Sequence, residues 1–298
     1  MLTLRILKPQ NNDIRAKHVS ANIPNAVFYI PFGYYYAVRL GTLPKLLSWM
    51  LIYIMPTAFY SFMTYEGAVL PFVVNYLLVL LAVFSLYELG YILNDTVAIR
   101  HEKQPAIRLY EHNFEHFSYY KRAIIAARIG YAIIATGTLI AINVQNTTII
   151  SRNLWLTCAC IAAILPIFII YNCWRNKYNV WLYPVLVFSR YLPFMLMYRI
   201  DGWAIMMLFL SFPFANMLER FSMPLHRFPV MRQLIPTEES KTIFRPFYYL
   251  AILWVPLLLP IPINAAYIYM FPPVILFFYR LTLYFIVKRH HLTNYLNG

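Results

Sequence analysis

The chain alternates between long apolar runs and shorter polar connections, and this pattern predicts membrane-spanning helices. A helix needs about 20 mainly apolar residues to cross the hydrocarbon core of a bilayer, and eight stretches approach that length. They are Leu46–Tyr65, Leu70–Leu93, Ala123–Val144, Leu154–Trp174, Val180–Tyr198, Trp203–Leu218, Phe247–Ile263 and Ala266–Val287. We therefore expect an all-α fold, a polytopic membrane bundle of eight or nine transmembrane helices that forms a single domain over residues 1–298.

Several regions are less regular than this pattern. The sixth and seventh stretches are short or interrupted by proline, and Pro272 and Pro273 could divide the last stretch into two pieces, because proline removes a helical hydrogen bond. Residues Ile23–Leu40 are aromatic and apolar but contain two prolines and a glycine. We interpret residues 1–43 as an N-terminal cytoplasmic or interfacial segment, with a ninth span through Ile23–Leu40 as the alternative.

The composition excludes the usual soluble classes. Hydrophobic residues make up 61% of the chain and charged residues 12%, whereas an ordinary soluble domain carries about 25% charged residues. The apolar content also excludes disorder, and three cysteines in so long a chain exclude a disulfide scaffold. A multi-spanning membrane protein remains.

Basic residues indicate how the chain is oriented. The net charge is +14, and 20 of the 25 Lys and Arg residues fall on one side of the predicted layout. Because cytoplasmic loops collect Lys and Arg, we expect both termini and the long loops 94–122 and 219–244 to face the cytoplasm. The predicted location is a bacterial inner (plasma) membrane with the active site on the cytoplasmic face. We interpret the basic charge as topological or anion-binding, with no nucleic-acid partner.

Ionisable residues also lie within or beside the spans. Charges at membrane depth are costly and usually functional. Glu88 and Asp95 are seven residues apart, and so are Lys121 and Arg128, which places each pair on one helix face. Together with Arg190 they favour a polar cavity that opens to the cytoplasm. The alternative is a set of structural ion pairs or snorkelling side chains, and snorkelling is our expectation for Arg280.

A motif after the second span resembles the first signature of the UbiA superfamily of intramembrane transferases. The signature has the form Asn-Asp-x-x-Asp-x-x-x-Asp followed by Pro and Arg. The corresponding residues here are Asn94, Asp95, Ala98, Glu102, Pro105 and Arg108. The stretch 216–221 follows the predicted sixth span, as the family's second acidic motif does, but keeps only the carboxylate of Glu219. One acidic position of the first motif is lost at Ala98.

The resemblance implies a Mg²⁺-dependent transferase that binds a diphosphate, since Mg²⁺ uses carboxylates and phosphate oxygens. It implies catalytic carboxylates at Asp95, Glu102 and Glu219. It implies metal ligation by Asn94, Asp95 and Glu102. The residues that would bind substrate are Asn94, Arg108, Lys121, Arg128, Arg190, Arg220 and Arg227.

Two reactions fit such a fold. Fewer carboxylates and a strongly basic second loop favour transfer of phosphoribose from phosphoribosyl diphosphate to polyprenyl phosphate, because three anionic groups must then be held. In that respect the chain is similar to decaprenyl-phosphate phosphoribosyltransferase-like members, which supply lipid-linked pentofuranose for cell-envelope polysaccharide. The alternative is a prenyltransferase that moves a prenyl group from its diphosphate to an aromatic or lipid acceptor.

Two further interpretations fit parts of the sequence. His112-Asn113-Phe114-Glu115-His116 has the inverted zinc-peptidase spacing, but no third ligand is evident, and Tyr110, Phe114 and Phe117 instead favour a helix on the membrane surface. A membrane transporter is the non-enzyme alternative, since proline-rich spans can be broken helices.

Overall fold

The computed structural model describes residues 23–101, 107–144, 148–174, 179–222, 228–235, 238–260 and 262–290, and these ranges contain helices and turns without a β-strand. Within these ranges six helices are long and apolar enough to cross a membrane, so the protein is a multi-pass membrane protein whose described part is helical. The bounds of these six are α1 (Leu43–Met63), α2 (Val69–Thr96), α3 (Glu111–Asn143), α4 (Thr148–Cys173), α7 (Gly202–Phe221) and α11 (Ile263–His290).

Shorter helices complete the bundle. They are α5 (Asn179–Ser189), α6 (Leu192–Leu196), α8 (Pro229–Leu234), α9 (Glu238–Leu253) and α10 (Val255–Leu258). The predicted span Val180–Tyr198 is thus divided into α5 and α6, and Phe247–Ile263 is replaced by the end of α9 and by α10. The predicted count of eight or nine spanning helices is not confirmed.

Proline has different effects at different positions. The last span is not divided at Pro272 and Pro273, because α11 runs through both without a break. In α7, by contrast, Pro213 lies within a π-helical turn at Leu210–Phe214. A π-turn accommodates the carbonyl that proline leaves without a donor.

Hydrogen bonds at the helix ends show that α5 and α6 together span the same depth of the bundle as α4. The Asn153 amide near the start of α4 donates to the carbonyl of Tyr198, just after α6. The backbone N–H of Arg199 donates to the carbonyl of Thr64, at the end of α1, at 3.4 Å. Since α5 begins soon after α4 ends, the α5–α6 pair runs back through the bundle antiparallel to α4.

Residues 23–40, called the N-terminal cap below, do not form one spanning helix. They fold into short turns, with a 3₁₀ turn at Asn25–Phe28 and a π-helical turn at Tyr36–Leu40. Phe28 and Tyr34 are fully buried and pack against α2 and α3. The cap therefore covers the end of α2 that carries Asp95.

The predicted surface helix around His112 is instead the first turns of α3. Asn113 and Phe117 are buried there, and the Asn113 amide donates to the carbonyl of Ile23 in the N-terminal cap at 3.0 Å. The described residues supply no third zinc ligand for the zinc-peptidase pattern, because no group of three or more metal-ligating side chains occurs among them.

Candidate functional site: an arginine-rich interior

Asp95 lies in the last turn of α2 and is 1% exposed. Its carboxylate accepts hydrogen bonds from Arg39 at 2.6 Å, Arg108 at 3.1 Å and the Tyr34 hydroxyl at 3.0 Å. Asn94 donates to the same carboxylate at 3.1 Å. A carboxylate is unfavourable at the negative end of a helix dipole, and two guanidinium groups remove that conflict here. The structure thus brings Asn94, Asp95 and Arg108 together.

Two groups of the N-terminal cap owe their protonation state to this cluster. Burial by itself would lower the pKa of Arg39, but Asp95 and the neighbouring tyrosines Tyr91, Tyr34 and Tyr35 together outweigh burial, and the pKa is raised. Burial, followed by the charge of Asp95, raises the pKa of Tyr34 well above its usual range. Arg39 therefore stays charged and Tyr34 stays a hydrogen-bond donor at any physiological pH.

The described residues do not fit a magnesium ion at Asp95. Both oxygens of its carboxylate are taken by guanidinium groups, and within the described ranges no cluster of three His, Cys, Asp or Glu side chains is present. Glu102, the second predicted metal ligand, lies outside the described residues. Magnesium dependence stays a prediction, and no catalytic step below is assigned to a metal.

Arg128 has an environment unlike a phosphate site. Its side chain is fully buried and forms an ion pair with Glu88, which is also fully buried. The remaining guanidinium donors bind the carbonyls of Phe28 and Val27 at 2.8 Å, while the backbone N–H groups of Phe32 and Tyr35 donate to Glu88. The pair holds the N-terminal cap against the bundle, and the geometry does not favour the predicted role of Arg128 in binding phosphate.

Three arginines lie against a group of tyrosines that includes Tyr91 of α2, and with Tyr91 they form what we call the arginine–tyrosine site. Arg39 lies over the Tyr91 ring, with its Cζ atom 4.6 Å from the centroid. The Tyr87 ring packs edge-on against Tyr91, with 5.1 Å between the ring centroids. Arg220 stacks on Tyr183 at 3.6 Å, and Arg190 is 5.1 Å from the Tyr87 ring. Five elements, the cap, α2, α5, α7 and the α5–α6 break, contribute to this site.

Arg190 is a buried arginine that lies among aromatic side chains. It is 5% exposed, and it lies where α5 ends and α6 has not begun. Four aromatic rings surround its guanidinium at 5.1–5.6 Å, those of Tyr53, Tyr87, Tyr191 and Phe212. Rings stabilise a cation but do not neutralise it, and its buried Nε has no hydrogen-bond partner. Within the described ranges no carboxylate forms an ion pair with Arg190, so the site has room for an anion's charge.

The remaining predicted residues fall elsewhere. Glu219 is 7% exposed and makes a two-pronged ion pair with Arg245 of α9 at 2.5 and 2.8 Å, so it points away from Asp95. Lys121 is exposed on α3. Arg227 lies outside the described residues. Arg280 does not snorkel as expected, because it is only 9% exposed.

Sequence reasoning missed Arg39, Arg245 and the tyrosines. Arg39 was available as the one basic residue in an otherwise apolar and aromatic segment, Ile23–Leu40. Tyr91 lies between Glu88 and Asp95 in the sequence, and no local pattern distinguishes it from the other tyrosines. No spacing rule connects Glu219 with Arg245, since 26 positions separate them and they lie on different helices.

The whole chain was compared with known proteins. A scan against protein-family models and searches of the curated proteins and of the solved structures gave no match to this chain.

Proposed function

We propose that the protein is an intramembrane transferase for phosphate-bearing substrates, and specifically that it moves phosphoribose from phosphoribosyl diphosphate to polyprenyl phosphate. In this reaction the bond between the sugar C1 and the diphosphate oxygen breaks, and a bond from C1 to an oxygen of the lipid phosphate forms. The observation that carries the proposal is that, among the residues that the structure describes, buried and half-buried guanidinium groups outnumber carboxylates around Tyr91.

The charge balance explains why a phosphorylated substrate fits. Asp95 is shared by Arg39 and Arg108, while Arg190 and Arg220 face tyrosine rings. Unpaired charge inside a low-dielectric interior is costly, and a bound anion relieves that cost. Guanidinium groups bind phosphate oxygens through paired, directed hydrogen bonds. They would also stabilise the negative charge that develops on a leaving diphosphate.

Each residue of the site has a proposed task. Arg190 and Arg220 bind the diphosphate, and Asp95 positions Arg39 and Arg108 at the end of α2. The polyprenyl chain lies among the apolar helices, and the site opens to the cytoplasm as the basic loops predict. The resemblance of the Asn94-Asp95 motif to UbiA supports this arrangement.

A two-substrate assay tests the proposal. Purified protein in lipid nanodiscs is given phosphoribosyl diphosphate, carbon-labelled in the ribose, with polyprenyl phosphate, and label is counted in the organic phase. We expect labelled lipid, and we expect Arg220→Ala to raise the KM for the donor more than the KM for the lipid. Arg152→Ala, an exposed arginine on α4, is the control.

A parallel arm tests prenyl transfer, in which diphosphate release from a prenyl diphosphate is measured with an aromatic acceptor. Turnover in that arm alone would replace phosphoribosyl transfer with the prenyltransferase reaction. Magnesium dependence is read in the same assay by adding a chelator.

A second candidate function is anion transport, and the broken helix at Arg190 favours it. Transporters often place a substrate site where a spanning helix is interrupted, and Arg190, at the break between α5 and α6, has no carboxylate partner within the described ranges. Uptake of labelled phosphoribosyl diphosphate or phosphate into proteoliposomes, without any labelled lipid product, would support transport over transfer.

A further inference from the structure

Phe168 of α4 packs into the arginine–tyrosine site, although its side chain carries no polar atom. The side chain is 1% exposed. Its ring meets the rings of Tyr87 and Tyr91 on α2, with centroid distances of 5.1 and 5.3 Å, and that of Tyr171 on its own helix at 6.5 Å. The interplanar angles are 71°, 77° and 87°, which is close to the perpendicular geometry that aromatic pairs favour. One buried ring therefore contacts three tyrosines edge-on.

Each of these tyrosines contacts a different arginine of the site. The contacts are Arg190 over the Tyr87 ring, with Cζ 5.1 Å from its centroid, Arg39 over the Tyr91 ring at 4.6 Å, and Arg220, which donates to the Tyr171 hydroxyl at 3.0 Å. The three arginines come from separate parts of the chain, namely the break between α5 and α6, the N-terminal cap, and α7. A displacement of the one phenyl ring therefore reaches all three guanidinium groups through a single intervening side chain each.

The space for this ring is provided by Gly90 on α2. A Cβ atom added at Gly90 would lie well inside van der Waals contact with the Phe168 ring, so the ring is held against the α2 backbone. Gly90 is next to Tyr91 and about one turn from Tyr87 in the same helix. Because a close-packed interior transmits displacements, the positions of both tyrosines depend on the side chain that fills this space.

The spacing of the guanidinium groups determines which anion they can bind together. Bonds between guanidinium and phosphate are directed and paired, so their strength depends on geometry. A single phosphate can be satisfied by one arginine, whereas the two phosphate groups of a diphosphate need arginines at matching positions. Misplaced arginines should therefore weaken the binding of a diphosphate more than the binding of a single phosphate.

We propose that Phe168 is a positioning residue of the arginine–tyrosine site. Through the three tyrosines it sets the spacing of Arg39, Arg190 and Arg220, and this spacing makes the site selective for a diphosphate over a single phosphate. The inference rests on the proposed function in one respect, which is that phosphate groups bind at these arginines. It concerns binding and needs no turnover.

Equilibrium binding to the purified full chain in lipid nanodiscs tests this role. Sodium pyrophosphate and sodium phosphate are titrated separately and followed by calorimetry, and we expect the native protein to bind pyrophosphate more tightly. Phe168→Leu keeps an apolar side chain but removes the ring. Its affinity for pyrophosphate should fall about tenfold or more, the effect of losing one charge-assisted hydrogen bond, and its affinity for phosphate should fall less.

Gly90→Ala reaches the same contact from the opposite helix. The added methyl group displaces the phenyl ring, so we expect the same preferential loss of pyrophosphate affinity. Gly137→Ala is its control, because Gly137 of α3 has open space around it and both affinities should stay native. If Phe168→Leu does not fold, the two affinities of Gly90→Ala decide the result.

Phe72→Leu is the matched control for the loss of a buried ring. Phe72 of α2 is 7% exposed, and it also packs against three tyrosine rings, those of Tyr65, Tyr76 and Tyr198. Within the described ranges no arginine stacks on these three rings. Phe72→Leu should therefore lower the Tm about as much as Phe168→Leu does, but leave both affinities unchanged.

Two results would overturn the proposal and leave the proposed function standing. One is native pyrophosphate affinity in a folded Phe168→Leu protein, and the other is an equal loss for pyrophosphate and phosphate or an equal loss in Phe72→Leu. Absence of pyrophosphate binding by the native protein would remove the proposed function together with this inference. The predicted binding pattern without any transfer activity would support the role of Phe168 and remove only the transferase reaction.

Discussion

At the scale of single residues, buried charges in this protein have two distinct roles. Glu88 and Arg128 satisfy each other and also bind backbone groups of the N-terminal cap, so their charge is used within the fold. Arg190 has no such partner among the described residues, and its Nε is buried without a hydrogen bond. Both kinds of charge are buried, so burial does not distinguish the two roles. The atoms that each charged group contacts do distinguish them.

Asp95→Asn should lower turnover roughly a hundredfold, comparable to the loss of one key electrostatic group. The amide keeps the shape of the side chain but removes the charge that holds Arg39 and Arg108. The initial rate with phosphoribosyl diphosphate and polyprenyl phosphate measures the effect. Glu66→Gln, at an exposed carboxylate, is the matched control. Native activity in a folded Asp95→Asn protein would remove the proposed role of Asp95.

Glu88→Gln should destabilise the protein by about 3–5 kcal/mol, because it leaves the Arg128 guanidinium buried without its counter-charge. The N-terminal cap should loosen at the same time, since Glu88 also accepts from Phe32 and Tyr35. A lowered Tm in detergent and faster proteolysis within residues 23–40 are the measurements. An unchanged Tm would show that the pair is dispensable, and Glu66→Gln again serves as the control.

At the level of the helices, packing contacts determine which glycines are needed for two helices to approach each other closely. Gly90 on α2 faces the Phe168 ring of α4, and a Cβ atom added there would lie well inside van der Waals contact with that ring. Gly137 on α3 has open space around its Cα. The two glycines look alike in sequence, each within an apolar run, but only Gly90 permits the close approach of two helices.

Gly90→Ala should therefore destabilise the bundle by about 1–3 kcal/mol, as overpacking of a filled interior does. Gly137→Ala should be neutral or up to about 1 kcal/mol stabilising, because alanine is the better helix former. Thermal unfolding of both variants under one detergent condition makes the comparison. Equal effects of the two substitutions would contradict the close contact between α2 and α4.

At the scale of the whole molecule, the chain has many more basic than acidic residues, with a net charge of +14, and part of this excess lies inside the bundle. The loops account for most of it and predict the orientation. Arg190, Arg220 and Arg280 belong to helices or helix breaks and are not explained by topology. The excess positive charge therefore comes partly from the loops and partly from the interior of the bundle. Only the interior arginines bear on ligand binding.

Orientation is tested by single-cysteine labelling in a background without Cys158, Cys160 and Cys173. Because most Lys and Arg residues fall on one side of the layout, a cysteine at Gln104 should react only from the cytoplasmic side and one at Asn146 only from the other side. A membrane-impermeant maleimide applied to intact cells and to inverted vesicles gives the result. The reverse pattern would place the proposed active site outside the cytoplasm.

Sequence alone was enough to give the class of the protein and the approximate positions of its long helices. Apolar runs long enough to cross a bilayer leave no other stable fold, and α2, α4 and α11 lie close to the predicted stretches, whereas α3 begins at Glu111, well before the predicted Ala123. Sequence also pointed to Asn94, Asp95 and Arg108, because adjacent positions and a short loop keep their spacing in any fold.

Which charged side chains contact each other depends on how the helices pack. The ion pairs Glu88–Arg128 and Glu219–Arg245 join residues 40 and 26 positions apart, and no local pattern encodes such distances. Proline content does not show where a helix breaks, because α11 runs unbroken through Pro272 and Pro273. The breaks in Val180–Tyr198 and Phe247–Ile263 therefore likewise depend on packing. A charge is a structural residue or a ligand-binding one according to its neighbours, and neighbours at this separation are chosen by the packing of the helices.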